Sequence, residues 1–508
     1  MRRFAAPVVL LTLLVPCLAG AVTRIEGEYQ LQLDIRKQDR NFPWDFESNN
    51  NDTYAASQFR IFTAPRSGVE AFVKVEADWY TGGNENDRPQ YHYRESHMRF
   101  FKEFGAGKPI AEAYLFSRQD RFWVENHLIG VVQTDPAKDG DNAQGVRFNL
   151  KNGRWEDVLS YIYSDFSSQS RVGGETPPPR SDDAHIFRFR PVLTERTRLG
   201  TTYNRKVEAQ DGEMGYNEVY AFDGRYTFGN NIDFYLEYAS SKRRGPAAQD
   251  EDGFHLGDWE VDRFAAALPR NAALKAELRS ISVGTPTLGY YNIAPLYYYF
   301  GPDFSDYLGE STNDLVGWKL NTWYLLPKRA ITVSLDYEEW ERYVFEQKTF
   351  TKWRAEIYTE YVNGFTSKIW YDRNRTVDTS NPFFDEITKN YDLFAEVQVE
   401  SRLAWMRVQG KLKDLETDLK KELVSLETAV NITDRLKIYS RYAFGNDPAR
   451  LRKGLFSELQ YRPQQNMELF LSYGPFWIGD DAVPVNDGDL AGGADNKDMI
   501  RLIVKGNF

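Results

Sequence analysis

The 508-residue chain has one cysteine, Cys17, and five histidines, none beyond residue 255. A lone thiol forms no internal disulfide, and the segment holding it reads as one that is removed. Residues 1–21 carry Arg2 and Arg3, an apolar stretch from Val8 to Val15 and the small site Ala19-Gly20-Ala21, the pattern of a cleaved export signal. Beyond them no run of about 18 apolar residues occurs, so a membrane-spanning helix is excluded. GxSxG and HExxH are absent, and no spacing among His92, His97, His127, His185 and His255 proposes a nucleophile–base pair, so no enzyme is expected. His92 and His97 share an expected strand but differ in parity, which predicts opposite faces. Excess positive charge is lacking too. The net charge is -11, or -13 (61 basic against 74 acidic residues) once Arg2 and Arg3 are gone. That excludes a general nucleic-acid-binding surface.

What the chain does have is alternation and aromatic rings, with 31 Tyr, 33 Phe and 12 Trp. From Ile25 to Arg36, Ile25, Gly27, Tyr29, Leu31, Leu33 and Ile35 alternate with Glu26, Glu28, Gln30, Gln32, Asp34 and Arg36. A period of two makes a β-strand with one apolar and one polar face. The pattern returns around Val69 to Trp79, Ile232 to Tyr238 and Leu393 to Val399. Many runs reach ten residues, matching the ~9–11 that cross a bilayer on a tilt and exceeding the ~5–6 of an ordinary soluble strand. Leu412 to Val430 also fits a helical stripe, but its place between strand-like runs predicts strands.

Tight links (Ala64 to Gly68, Lys151 to Arg154, Phe228 to Asn231, Asn363-Gly364, Asn431 to Arg435) alternate with long polar ones (Asn41 to Asp52, Gly82 to Gln90, Ser167 to Asp183, Arg244 to Asn271). This predicts a single all-β domain over residues 22–508, an antiparallel up-and-down transmembrane β-barrel with short periplasmic turns and long extracellular loops. Counting strands by that rule gives about 24, within a range of roughly 18–26.

The chain ends in IRLIVKGNF, with Ile500, Leu502, Val504, Gly506 and Phe508 on one face. This resembles the C-terminal strand of Gram-negative outer-membrane β-barrels of the porin-like class. The resemblance implies location in the outer membrane, lipid and lipopolysaccharide as surroundings, and Phe508 as part of the signal read by the barrel-assembly machinery. The stretch from Arg118 to Trp123 (RQDRFW), followed by Gly145-Val146-Arg147, is faintly similar to alginate-export channels.

In a barrel the charged face of each strand must meet water, because such a cluster in a dry core is prohibitively costly. Glu26, Glu28, Asp34, Arg36, Glu70, Glu76, Asp78, Asp233, Glu237, Asp392, Glu396 and Glu400 are expected on the pore wall, with Arg188, Arg190, Arg198, Arg501 and Lys505 clustered elsewhere on it. Acidic and basic sectors of that kind would set a field across the lumen. The bland reading is that these charges pair across strands. The expected function is a channel for small hydrophilic or charged solutes; the alternatives are a specific glycan transporter and a non-conducting structural or adhesive barrel. No cofactor is expected beyond a weak calcium loop, Asp487, Asp489, Asp495 and Asp498, whose EF-hand-like spacing has Ala491 at the fifth position. Two long links, Phe122 to Asp141 and Arg244 to Asn271, could narrow the pore. In the second, Asp258 to Arg270 reads as a short helix whose apolar face includes Phe264 and Leu268.

Overall fold

A computed structural model describes residues 22–36, 52–81, 90–103, 109–117, 144–151, 157–165, 183–191, 193–210, 213–229, 232–244, 268–280, 283–305, 314–327, 330–342, 347–362, 364–380, 385–416, 420–446, 453–474 and 499–507. The signal-like segment 1–21, His127, His255, the link 122–141, residues 245–267, the acidic loop 487–498 and Phe508 lie outside the described residues.

The described chain is strand after strand. The first quarter of the sheet holds β1 (Val22–Arg36), β2 (Asp52–Arg66), β3 (Val69–Thr81), β4 (Gln90–Glu103), β5 (Pro109–Ser117) and β6 (Gln144–Lys151). Next come β7 (Asp157–Asp165), β8 (Asp183–Phe189), β9 (Thr197–Gln210), β10 (Glu213–Phe228), β11 (Ile232–Arg244) and β12 (Ala272–Ser280). They are followed by β13 (Val283–Thr285), β14 (Gly289–Phe300), β15 (Leu315–Leu325), β16 (Ile331–Arg342), β17 (Lys348–Val362), β18 (Phe365–Asp378) and β19 (Glu386–Glu400). The ring is completed by β20 (Ala404–Lys413), β21 (Lys421–Thr433), β22 (Leu436–Gly445), β23 (Lys453–Gln464), β24 (Met467–Gly474) and β25 (Met499–Asn507). The ambiguous stretch Leu412 to Val430 is strand on both sides of a link, as its neighbours require.

Apart from β12 and β13, each strand pairs antiparallel with its sequence neighbours, and β1 pairs with β25 from Glu28↔Asn507 to Arg36↔Met499. The sheet therefore closes. Both β12 and the short β13 pair with β14, so they form one interrupted stave and the barrel has 24. At the seam Tyr29 stands opposite Gly506, and a Cβ on that glycine would run into the Tyr29 ring. The missing side chain lets the ring lie over the join between first and last strands. Tight turns gather at one end; the turn at Ser67-Gly68 needs the positive φ of Gly68 (79°), and its carbonyl accepts the amide of Phe101 at 2.8 Å.

The two faces of this wall differ in composition and in crowding. Ile25, Leu31, Leu115, Val146, Phe187, Phe222, Ile357, Ile369 and Val397 stand exposed on one face. The opposite parity holds polar side chains that are nonetheless covered, among them Glu112, Asn149, Arg188, Asn204, Glu237 and Gln409. Side chains converge on the concave face of a closed cylinder and splay on the convex one. The polar face is therefore the inner one, and the apolar face points outward.

Candidate functional site: the inner wall

Wherever their side chains are described, the charged residues singled out from the sequence stand on the inner parity. In β1, Glu26 is bonded to Arg24 and Glu28 lies 3.2 Å from Arg60 of β2. Asp34 and Arg36 occupy same-parity positions, in register with Arg501 and Met499. On β3, Glu70 takes Arg99 at 2.8 Å, and Glu76 takes the Gln58 amide at 2.5 Å and Lys74 at 3.3 Å; Asp78 is the next position of that parity. Asp233 accepts Arg225 at 2.8 Å and the Thr227 hydroxyl at 2.6 Å, while Glu237 is buried between the register partners Asp223 and Lys275. On β19, Asp392 meets Lys411 at 3.4 Å and Glu396 accepts Gln409 at 2.7 Å, with Glu400 exposed at the strand's end. Arg501 is buried, and Lys505 sits 5.5 Å above the Phe470 ring.

The expected separation of acidic and basic sectors does not hold for the acids. Those of β1 and β3 stand among Arg24, Arg60, Lys74 and Arg99, and farther round the ring Arg354 and Lys368 share Glu356 while Arg407 and Arg441 share Glu427. The reason is cost: like charges facing each other across strands repel, and opposite ones gain. One basic stretch survives. The inner positions of β6 to β9 hold Arg147, Lys151, Arg188, Arg198 and Lys206, with Arg190 just past the end of β8 and no carboxylate among the described side chains there. Flanking acids reach into it, Glu112 toward Lys151 at 3.3 Å and Asp223 toward Arg188 at 2.5 Å.

The Arg188–Asp223 pair depends on a glycine. Arg188 is on β8 and Asp223 on β10, with β9 between them. Asp223 stands opposite Gly200, and a Cβ there would collide with its carboxylate. Asp223 crosses β9 through that gap. Arg188 also bonds the Thr202 hydroxyl, and both ion-pair partners are covered, at 2% and 4% side-chain exposure.

A further feature was not read from the sequence. The described start of the link after β14 folds inward: Phe304 is buried in one cluster with Val219, Ala221, Ala239 and Ala273 of the inner wall and with Phe300. The Ser305 amide donates to Ser241 Oγ at 2.9 Å, and Asn217 donates to the Ser305 carbonyl at 2.9 Å. Alanines at three wall positions leave the notch that the ring fills. Before β15, Asp314 has a φ of 53°, a left-handed conformation that aspartate tolerates better than most residues.

The long link before β12 behaves differently at its described end. Leu268 packs with Tyr299, Val316, Leu274 and Tyr297, which lie on the outer parity, and Tyr299 Oη donates to the Pro269 carbonyl at 3.2 Å. The last residues of the expected helix thus rest on the outer wall; residues 258–267, with the rest of its apolar face, lie outside the described residues. The histidine expectation also fails. A bulge between Lys74 and Val75 shifts the register, pairing His97 with Phe72 and His92 with Glu76, two positions of the same parity.

Among the described residues no cluster of three metal-ligating side chains occurs. No protein-family model matches the chain, and no curated sequence does. Solved structures resemble it in shape. The siderophore receptor PirA from Pseudomonas aeruginosa aligns with a TM-score of 0.46 at 8% identity, over 96% of this chain and 80% of that one. The translocation pore of the P pilus usher PapC gives 0.43 at 7% identity, over 95% and 99%. The ferric-catecholate import receptor Fiu from E. coli K12 gives 0.41 at 9% identity, over 96% and 82%.

Proposed function

We propose that the protein is an outer-membrane channel that passes small hydrophilic or charged solutes through a hydrated lumen. The observation that carries this reading is the wall itself: a closed ring whose convex face is apolar and whose concave face is a lattice of ion pairs. An apolar belt of that kind suits lipid, and a ring of 24 strands encloses more space than its side chains fill. The basic stretch on β6 to β9 adds a preference for anions. Planar-bilayer recordings test the reading. A steady ohmic conductance with a reversal potential shifted toward the anion supports it; a silent barrel that is folded by heat-modifiability refutes it and favours a structural or adhesive role.

One observation favours the second reading, passage of a glycan. Trp405, Tyr439 and Phe456 stand half-buried in a row on the inner parity, with centroids 6.1 Å apart at each step and Arg407 over the first ring at 5.5 Å. Sugar rings stack on such faces. Block of the ion current by an acidic oligosaccharide at micromolar concentration, relieved in Trp405→Ala, distinguishes this reading from a general pore.

A further inference from the structure

The outer face of β17, β18 and β19 is layered. Register places Ile357, Ile369 and Ala395 side by side, then Ala355, Tyr371 and Leu393, then Trp353, Arg373 and Tyr391, then Thr351, Arg375 and Lys389. Going toward the long-link end, the wall passes from aliphatic through aromatic to a tier that is basic on β18 and β19, where β17 carries Thr351. Rings at this level mark a membrane interface. The basic tier lies just beyond it, on the side that faces lipid rather than the lumen.

This tier is costly by itself. Arg375 and Lys389 are directly opposite each other, both exposed, and like charges in that relation repel. No ion pair or hydrogen bond links either of them to another described side chain, and the third strand offers only Thr351 and Trp353. Arg373 is held in place: its guanidinium lies 4.9 Å from the Tyr391 ring centre and donates to Tyr391 Oη at 3.2 Å. The carboxylate that acts on it is Glu416, from the link after β20. Elsewhere on the outer rim the arrangement differs, since Lys242 of β11 stands in register with Glu218 of β10.

We propose that Arg373, Arg375 and Lys389 form a binding site for the phosphorylated headgroup of an anionic glycolipid in the outer leaflet. The amphiphile matches the layering: its phosphates meet the basic tier, its sugar backbone lies at Trp353, Tyr371 and Tyr391, and its acyl chains run along Ile369, Leu393 and Ile357. A cation beside an anionic lipid surface contributes about fivefold in binding, so three together contribute about a hundredfold. Arg375 and Lys389 are the selective pair, because phosphate offsets their mutual repulsion.

Native mass spectrometry of the full-length protein in detergent, titrated with bis-phosphorylated lipid A, tests the site. The expected result is a retained 1:1 adduct, weakened about a hundredfold in Arg373→Gln/Arg375→Gln/Lys389→Gln and about fivefold with lipid A lacking one phosphate. Lys242→Gln, on the other rim sector, should bind as the parent does. Heat-modifiability reports whether each variant is folded, and Arg375→Lys/Lys389→Arg, which keeps the charges, should retain the adduct if the triple variant does not fold. Equal retention in a folded triple variant, or loss of the adduct in the charge-conserving pair, overturns the proposal. Displacement by millimolar inorganic phosphate also overturns it, since that identifies an unselective anion patch. A silent barrel in bilayer recordings would leave this proposal intact, because the two rest on opposite faces of the wall.

Discussion

Two ion pairs of the inner wall use the same chemistry in opposite surroundings. Arg188 and Asp223 are sealed beneath neighbouring side chains, whereas Arg60 and Glu28 keep 35% and 54% of their side-chain surface open. The first pair cannot exchange its partner for water; the second can. What stabilises the wall therefore changes around the ring. In the sector from β8 to β12 the charges, the Gly200 gap and the Phe304 notch are packed as a dry core is packed. Near the seam the charges are spaced so that solvent does the work.

The largest expected effect tests the sealed pair. Arg188→Met leaves Asp223 buried without its cation and should cost about 3–5 kcal/mol, read as loss of the heat-modifiable folded form at lower denaturant concentration. The double change Arg188→Met/Asp223→Leu should recover most of that loss. If the single variant folds as well as the parent, water reaches Asp223 and the two pairs are alike.

Next comes the contrast between the two faces of one strand. Leu31→Arg carries a charge onto the outer face and should cost about 2–4 kcal/mol if that level lies near the bilayer midplane, while the inner-face Gln32→Arg should be nearly neutral for folding and shift the reversal potential. Equal losses would reverse the assignment of inside and outside.

Phe304→Ala empties the alanine notch. Buried Phe→Ala changes cost about 3–5 kcal/mol in a fixed core, but this ring is on a loop that can detach, so about 2 kcal/mol is the expected loss. Single-channel current should become noisier as the loop leaves the wall, and an unaltered trace would mean that the loop lies outside the permeation path. The smallest effect belongs to the open pair: Arg60→Ala should change stability by less than about 1 kcal/mol, with the difference disappearing in high salt.

The alternation was legible because each face of every strand meets one environment, so Ile25 to Arg36 announces both strand and orientation, and tight turns such as Asn363-Gly364 announce the reversals. The number of staves followed from the same signals. The bulge opposite Lys74 was not legible, since no glycine or proline marks it, and its extra residue, Arg94, reverses the face of every position before it on β4, His92 included. The Arg188–Asp223 pair joins residues separated by a whole strand, and its enabling residue, Gly200, looks in the sequence like any other strand glycine. Cross-strand pairing was among the readings of the β1 acids, but the partner of each was not legible for a related reason, because Arg60 becomes a neighbour of Glu28 only through register. The inward loop escaped because its notch is a matter of side-chain size at Ala221, Ala239 and Ala273, and a period of two carries no size information.

The seam has a consequence for how the molecule comes to exist. Tyr29 lies over Gly506, so the last bonds of the ring join strands from opposite ends of the described chain. Until they meet, β1 and β25 are free edges, each an open row of amides and carbonyls ready to recruit another strand. Loop closure over that separation is the slowest contact available to the polypeptide, so the cylinder shuts late. Cutting the barrel short at any stave would leave two sticky edges in place of a smaller pore. A shielded environment that holds β1 until β25 arrives is thus a requirement of the topology, whatever the finished wall conducts.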